Sequence, residues 1–269
     1  MLNDITFGQF IDTNSFIHHA DPRTKLITLI LFIVFIFVAK GFLALGILAL
    51  LIIIAMLISK IPVVMYLKNI KSILPIIIIT ALLNVFYAGG GKVLIDWWIF
   101  TITTSGISRA IFMAVRIILL ILSSAVLSYT TSPTSLTGAI ESLLKPLKLI
   151  GLGNAVHTMA MVMTIALRFI PTLIEETGKI MNAQKARGAD MENGNIIKRV
   201  KALLPILIPL LISSIRRAYE LAEAMECRCY NGGSGRTKYR IMKYSYVDLV
   251  VLIVVVFVCS GVIALNILV

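Results

Sequence analysis

Residues 26–58 read LITLILFIVFIFVAKGFLALGILALLIIIAMLI, with Lys40 as the one charged position in the stretch. A soluble protein cannot cover so continuous an apolar run, whereas crossing the hydrocarbon core of a bilayer takes roughly 20 such residues per helix. Lys40-Gly41 divides the run into 26–39 and 42–58. The two pieces form a tight helical hairpin or lie partly re-entrant. Each is slightly short for a full crossing, a deficit that flanking side chains make up by snorkelling. Outward from this pair, further apolar runs cover 73–88, 110–129 and 246–269. The sequence therefore predicts an all-α, polytopic membrane protein with about five transmembrane helices. Composition agrees: 59% of the 269 residues are hydrophobic and 14% charged, against roughly 45–50% and roughly 25% in ordinary globular chains.

Local signals set the boundaries. Lys60, Lys68 and Lys71 make 59–71 a basic connection. Pro75 falls in the first turn of the third run, where proline is tolerated, and Gly89-Gly90-Gly91 ends that run. Trp97-Trp98 reads as an interfacial pair. The first basic residue is Arg23, so no basic region precedes the first run and a cleavable signal is not expected.

Residues 131–244 differ in character, holding 16 of the 25 Lys and Arg and 8 of the 13 Asp and Glu. The chain thus divides into N-terminal transmembrane helices 1–4 (1–130), a cytoplasmic or interfacial module of long amphipathic helices (131–244) and a C-terminal transmembrane helix (245–269). Ser132-Pro133-Thr134-Ser135 opens a short amphipathic segment to about residue 150, with proline at the first turn. Gly151 and Gly153 break it. Long helices follow over about 154–186, stopped by Gly188, and about 195–229, stopped by Asn231-Gly232-Gly233. The two share a plan. Each begins apolar, contains proline (Pro171; Pro205 and Pro209), turns charged and ends around one arginine, in Ala186-Arg187-Gly188 and in Cys227-Arg228-Cys229-Tyr230. Glu175 and Lys179, spaced i,i+4, can pair on one face of the first.

The formal net charge of +12 does not indicate nucleic acid, because the cations lie beside and between apolar runs and form no groove with stacking aromatics. With the N-terminus in the cytoplasm, 21 basic residues fall inside, from Arg23, Lys25, the 60–71 connection and 131–244, while Lys40, Lys92 and Arg109 fall outside. The positive-inside bias selects this orientation and makes the C-terminus extracellular.

An arginine flanked by small residues lets another surface approach the backbone while its guanidinium makes forked bonds to a carboxylate. Docking onto a soluble partner fits that pattern, and so does contact with anionic lipid headgroups. Four passages carry a more specific likeness. They are Asp21-Pro22-Arg23-Thr24-Lys25; Arg168-Phe169-Ile170-Pro171-Thr172-Leu173 leading to Ala183-Gln184-Lys185-Ala186-Arg187-Gly188; Pro209-Leu210-Leu211 with Arg216-Arg217-Ala218; and Ala222-Glu223-Ala224-Met225-Glu226-Cys227-Arg228-Cys229-Tyr230. Over essentially the whole chain the sequence resembles the transmembrane T-component of energy-coupling factor (ECF) transporters, the vitamin and metal importers powered by ATP-binding-cassette subunits.

The resemblance implies a non-catalytic energy-coupling subunit that transmits ATPase motion to a separate substrate-binding membrane subunit, the S-component. It implies two ABC-type ATPase partners, docked at Ala186, Arg187 and Gly188 and at Cys227, Arg228 and Cys229. It also implies no cofactor on this chain, ATP and Mg being bound by the partners. The second motif departs from the family's Ala-Arg-Gly pattern: Cys-Arg-Cys keeps the arginine between bulkier neighbours. The nutrient is left open, since the family assigns that choice to another subunit.

Other signals carry less. No Gly-x-x-x-x-Gly-Lys-[Ser/Thr] loop occurs, so ATP binding by this chain through such a loop is not expected. Cys227, Cys229 and Cys259 lack a disulfide framework. No metal site is expected at the cysteines or at His18-His19, whose adjacent side chains diverge. His157 reads as packed or hydrogen-bonded, Met159, Met161 and Met163 as adaptable packing, and Asn84, Ser123 and Ser124 as helix–helix contacts. Arg116, inside the fourth run, either faces protein or water or snorkels. An intramembrane enzyme acting on lipid or isoprenoid is the competing class. It calls for a carboxylate cluster or a nucleophile near a span end, and Asp248 stands alone. A channel or carrier favours polar residues at the midplane, which are sparse.

The orientation predicts that a cysteine at position 195 (Asn195→Cys) reacts with a membrane-impermeant maleimide only from the cytoplasmic side, and one at position 92 (Lys92→Cys) only from outside. Labelling of 195 in intact cells would reverse the assignment.

Overall fold

Asp21-Pro22-Arg23 is a helix start. The Asp21 carboxylate accepts the Arg23 amide at 2.9 Å and Pro22 takes the first helical position, where its missing N–H costs nothing. From there the computed structural model describes residues 10–11, 13–87, 93–97, 100–189, 196–232 and 242–268. The expectations for Gly89, Gly90, Gly91, Lys92, Trp98, Asn195 and Gly233 lie outside the described residues. Helices α1 (Pro22–Val38), α2 (Phe42–Ile58), α3 (Val63–Tyr87), α4 (Thr104–Thr130), α5 (Pro133–Leu143), α6 (Gly153–Ala186), α7 (Ile196–Glu226) and α8 (Tyr246–Leu268) make the protein all-α. One short antiparallel hairpin, β1 (Val93–Trp97) with β2 (Phe100–Thr103), joins α3 to α4, and a 3-10 turn over Lys145–Ile150 follows α5.

The described residues separate into two compact units, one drawn from 8–139 and 240–269, the other from 140–239. The first holds α1 to α4 and α8, with chain ends gathered by polar contacts. At one end the Asp21 amide donates to Asp248 at 2.7 Å, so α8 and α1 start side by side. There too the Lys25 ammonium donates to the Thr130 carbonyl that ends α4 at 2.9 Å, and Tyr129 donates to the Met65 carbonyl near the start of α3 at 3.3 Å. At the other end the Asn266 amide donates to the Val38 carbonyl at 2.9 Å and accepts from the Lys40 amide at 3.2 Å. Ile36, Leu45, Leu48 and Val262 are sealed inside, while Phe37, Leu43, Ile79 and Phe257 face outward. An apolar outer surface of this kind is what a bilayer requires of a multi-pass membrane protein.

Several boundaries differ from the sequence reading. Helix α3 begins at Val63, so Lys68 and Lys71 are helical and Pro75 sits inside the helix. Packing recruits the early residues: Tyr66 is 1% exposed, bonds to the Ser59 hydroxyl at 3.1 Å and meets the Tyr129 ring edge-on. Helix α4 starts at Thr104 because Thr103 caps it through the Gly106 amide. Helix α7 ends at Glu226, before Cys229. Asp248 is not alone: it is buried and accepts both the Asp21 and Ser245 amides.

The identity of the span-length helices also changes. Among the described residues, five helices are long and apolar enough to cross a membrane: Val63–Phe86, Thr104–Thr130, Gly153–Ala186, Lys201–Glu226 and Tyr246–Ile267. Helices α1 and α2, expected among the five, have 17 residues each, about 26 Å. Helices α6 and α7, expected in a cytoplasmic or interfacial module, meet the length criterion, although each carries a charged last third.

Arg116 explains how the short hairpin is tolerated. It lies twelve residues into α4 and donates to the Ala39 carbonyl at 2.8 Å. Its guanidinium sits over the Phe112 and Phe37 rings at 4.7 and 5.9 Å. Ala39 is fully buried although Lys40 beside it is exposed, and Arg116 satisfies its carbonyl. Arg116 faces protein. Arg116→Leu should cost about 2 kcal/mol, the worth of a charge-assisted bond, and lower the thermal midpoint of the purified protein. An unchanged midpoint would leave the turn without need of this partner.

Candidate functional site

Helices α6 and α7 pack through apolar stripes interrupted by one ionic crossing. Ile165, Phe169 and Leu173 recur at helical spacing on α6, and Glu176 follows on the same face. On α7, Ser214, Ala218, Leu221 and Met225 form the matching stripe. At the crossing Glu176 accepts from Arg217 at 2.8 Å and from the Ser213 hydroxyl. A carboxylate on an apolar stripe needs such a partner across the interface. Sequence reading paired Glu175 with Lys179 and missed this contact. The available signal was an acid ending one stripe and an arginine beside the other.

A groove of about 280 Å³ runs between the part of α6 before the crossing and the part of α7 after it. The two helices are therefore antiparallel there, and their C-terminal arms leave the crossing on opposite sides. Arg187 stands eleven residues beyond Glu176, and Arg228 eleven beyond Arg217. Each arm is about 16 Å long. The structure does not bring the two motifs together; it holds them apart at equal distances from one fulcrum.

Both helix ends are built the same way. On α6, Ala186 is the last helical residue, Arg187 is the cap, and Gly188 has φ +85°. The Gly188 amide donates to the Lys185 carbonyl at 3.0 Å and the Ala189 amide reaches back to Gln184 at 3.0 Å. On α7, the Cys229 amide donates to the Glu226 carbonyl at 2.8 Å and the Tyr230 amide reaches back to Met225 at 3.1 Å. Both are Schellman caps, in which the residue after the cap adopts a left-handed conformation. Arginine is thus the cap residue twice, exposed both times, and favourably placed at the negative end of the helix dipole. The third motif position is left-handed twice: Gly188 in one, Cys229 at φ +55° in the other. The departure Cys-Arg-Cys therefore keeps the backbone conformation and adds a side chain where it is strained and glycine is not. Cys227 and Cys229 are both free and exposed.

The fold and these ends define a multi-pass helical membrane protein with a paired set of exposed arginine caps. The chain belongs to the family described as CbiQ, cobalt transport protein, which matches residues 13–239. It is similar to proteins named energy-coupling factor transporter transmembrane protein EcfT. That of Ruminiclostridium cellulolyticum is 47% identical over 251 residues, covering 93% of each chain. That of Clostridium kluyveri is 46% identical over 266 residues, covering 98% of each. That of Acidaminococcus fermentans is 48% identical over 248 residues, covering 92% of this chain and 91% of its own.

The cap geometry predicts opposite effects of two substitutions. Gly188→Ala should weaken its helix end by about 1 kcal/mol, and Cys229→Gly should strengthen the other by a similar amount. Hydrogen exchange at the Ala189 and Tyr230 amides reads each locally: faster in the first variant, slower in the second.

Proposed function

We propose that this chain is the energy-coupling transmembrane subunit of an ATP-driven micronutrient importer, carrying motion from ATPase subunits to a separate substrate-binding membrane subunit. The observation that carries the reading is the duplicated cap. Two exposed arginines, each presented by the same backbone motif and equidistant from one ionic crossing, suit two related partners of one class. Ala186, Arg187 and Gly188 dock one ABC-type ATPase; Cys227, Arg228 and Cys229 dock the other. Each guanidinium makes forked bonds to a carboxylate in its partner's groove, and the small or turned residues beside it allow close backbone approach.

The chain itself does no chemistry in this scheme; ATP and Mg belong to the partners. ATP closes the ATPase pair, the docked ends move together, and α6 and α7 carry the motion through their crossing toward the substrate-binding subunit. Closure drives this only through the partners' different affinity for the two arrangements. The N-terminus and both arginine caps lie in the cytoplasm, and the C-terminus lies outside. Cys229, held left-handed where the first motif has glycine, gives the second docking end a different contact surface and a means of telling two ATPases apart.

Arg187→Glu and Arg228→Glu should each reduce co-purification of the ATPases about tenfold, the double variant more, with membrane insertion and thermal midpoint unchanged. A double variant that retains the ATPases as the wild type does would overturn the proposal.

A further inference from the structure

The two arms beyond the Glu176–Arg217 crossing match in length and differ in charge. Between Glu176 and the Arg187 cap, α6 carries Lys179 and Lys185 and no acid. Between Arg217 and the Arg228 cap, α7 carries Glu220, Glu223 and Glu226 and no base. All five side chains are exposed.

Local helix energetics account for the first arm and not for the second. A helix C-terminus is the negative end of the dipole, so a cation in the last turn, such as Lys185, stabilises α6. Glu223 and Glu226 stand at that same negative end of α7, whose last turn has no base. The three acids also follow one another at i,i+3, where like charges repel. Among the described residues none of the three has a salt bridge or a side-chain hydrogen bond. They lie on the side of α7 away from the seam of Ser214, Ala218, Leu221 and Met225. Such a row destabilises the free helix and is offset only by cations from outside the chain.

We propose that the charge of each arm decides which ATPase seats at which end. The proposal rests on the docking reading above and adds the chemistry of the two partners. The α7 end takes an ATPase whose groove carries, around the carboxylate that meets Arg228, a rim of Lys or Arg facing Glu223 and Glu226. The α6 end takes one whose rim is acidic and faces Lys179 and Lys185. The arginines supply a grip common to both ends, and the arms supply the difference. Exchanging the two ATPases sets acid against acid and base against base, and like-charge contacts of that kind reject the wrong partner. The arm charges stand in water, so the sorting weakens as the Debye length shrinks from about 8 Å at 0.15 M salt to about 3 Å at 1 M.

The test uses the full chain co-expressed with both ATPases and purified as the complex. A photo-cross-linking amino acid replaces Ala183 or Ala224, an exposed position on each arm. Mass spectrometry of the adducts identifies the ATPase held at each arm, and the captured segments give the charge of its rim. Position 183 should capture the acidic-rimmed ATPase and position 224 the basic-rimmed one, each by about tenfold over the other. Glu223→Lys with Glu226→Lys, and that pair combined with Lys185→Glu, should reduce the preference to about twofold or less while both ATPases stay bound through Arg187 and Arg228. The first variant suits the helix dipole, so its thermal midpoint should not fall. Assembly in 1 M salt should flatten the preference of the unaltered arms in the same way. A preference unchanged in both variants, or one ATPase captured equally at both unaltered arms, would overturn sorting by charge and leave docking in place. Capture of no ATPase at either unaltered arm would overturn docking and sorting together.

Discussion

One carboxylate sets the geometry of the second unit. Glu176 lies on an otherwise apolar face of α6 and is met by Arg217 and Ser213 of α7. Apolar stripes alone allow two helices to slide past each other by a turn, because leucine against leucine is tolerant of register. A charge pair in that seam favours one register, because Glu176 meets Arg217 and Ser213 together only there, with Arg217 37% and Glu176 22% exposed. The pair marks where along each helix the crossing falls. The equal arms to Arg187 and Arg228 follow from it. If motion passes between two docked ATPases and the membrane, it passes through this point.

The first unit obeys a different constraint. Its outer face is apolar, so polar backbone at helix ends must be satisfied from within. Three exceptions to a plain apolar helix serve that need. Arg116 covers the buried Ala39 carbonyl, Asn266 bridges the turn between α1 and α2, and Asp248 joins the amides that begin α1 and α8. Apart from the Ser245 amide, which is three residues from Asp248, their partners lie 77 to 228 positions away in sequence.

That separation explains what reading the sequence achieved. Apolar runs and the two arginine motifs are local signals, and the helices and the exposed ends they imply are present. The start of α3 was hidden because Tyr66 is held by Ser59 and Tyr129, not by local periodicity. The Glu176–Arg217 contact was hidden because i,i+4 spacing points to a partner on the same helix, whereas the real one is across the seam. The cap at Cys229 was hidden because its left-handed backbone is a glycine conformation worn by another residue. Only the parallel with Gly188 makes it intelligible. Helices α6 and α7 combine span-length apolarity with charged last thirds, so length alone does not separate a crossing from an interfacial helix.

The central claim is that the two arginine caps ride on a pair of ATPases and move with them. Spin labels at Ala183→Cys and Ala224→Cys, in a background of Cys227→Ala, Cys229→Gly and Cys259→Ala, leave both arginines in place and report the separation of the two arms. Pulsed electron–electron resonance on the assembled transporter should give a shorter distance with a non-hydrolysable ATP analogue than without nucleotide. One distance distribution, identical in both states, would contradict the account.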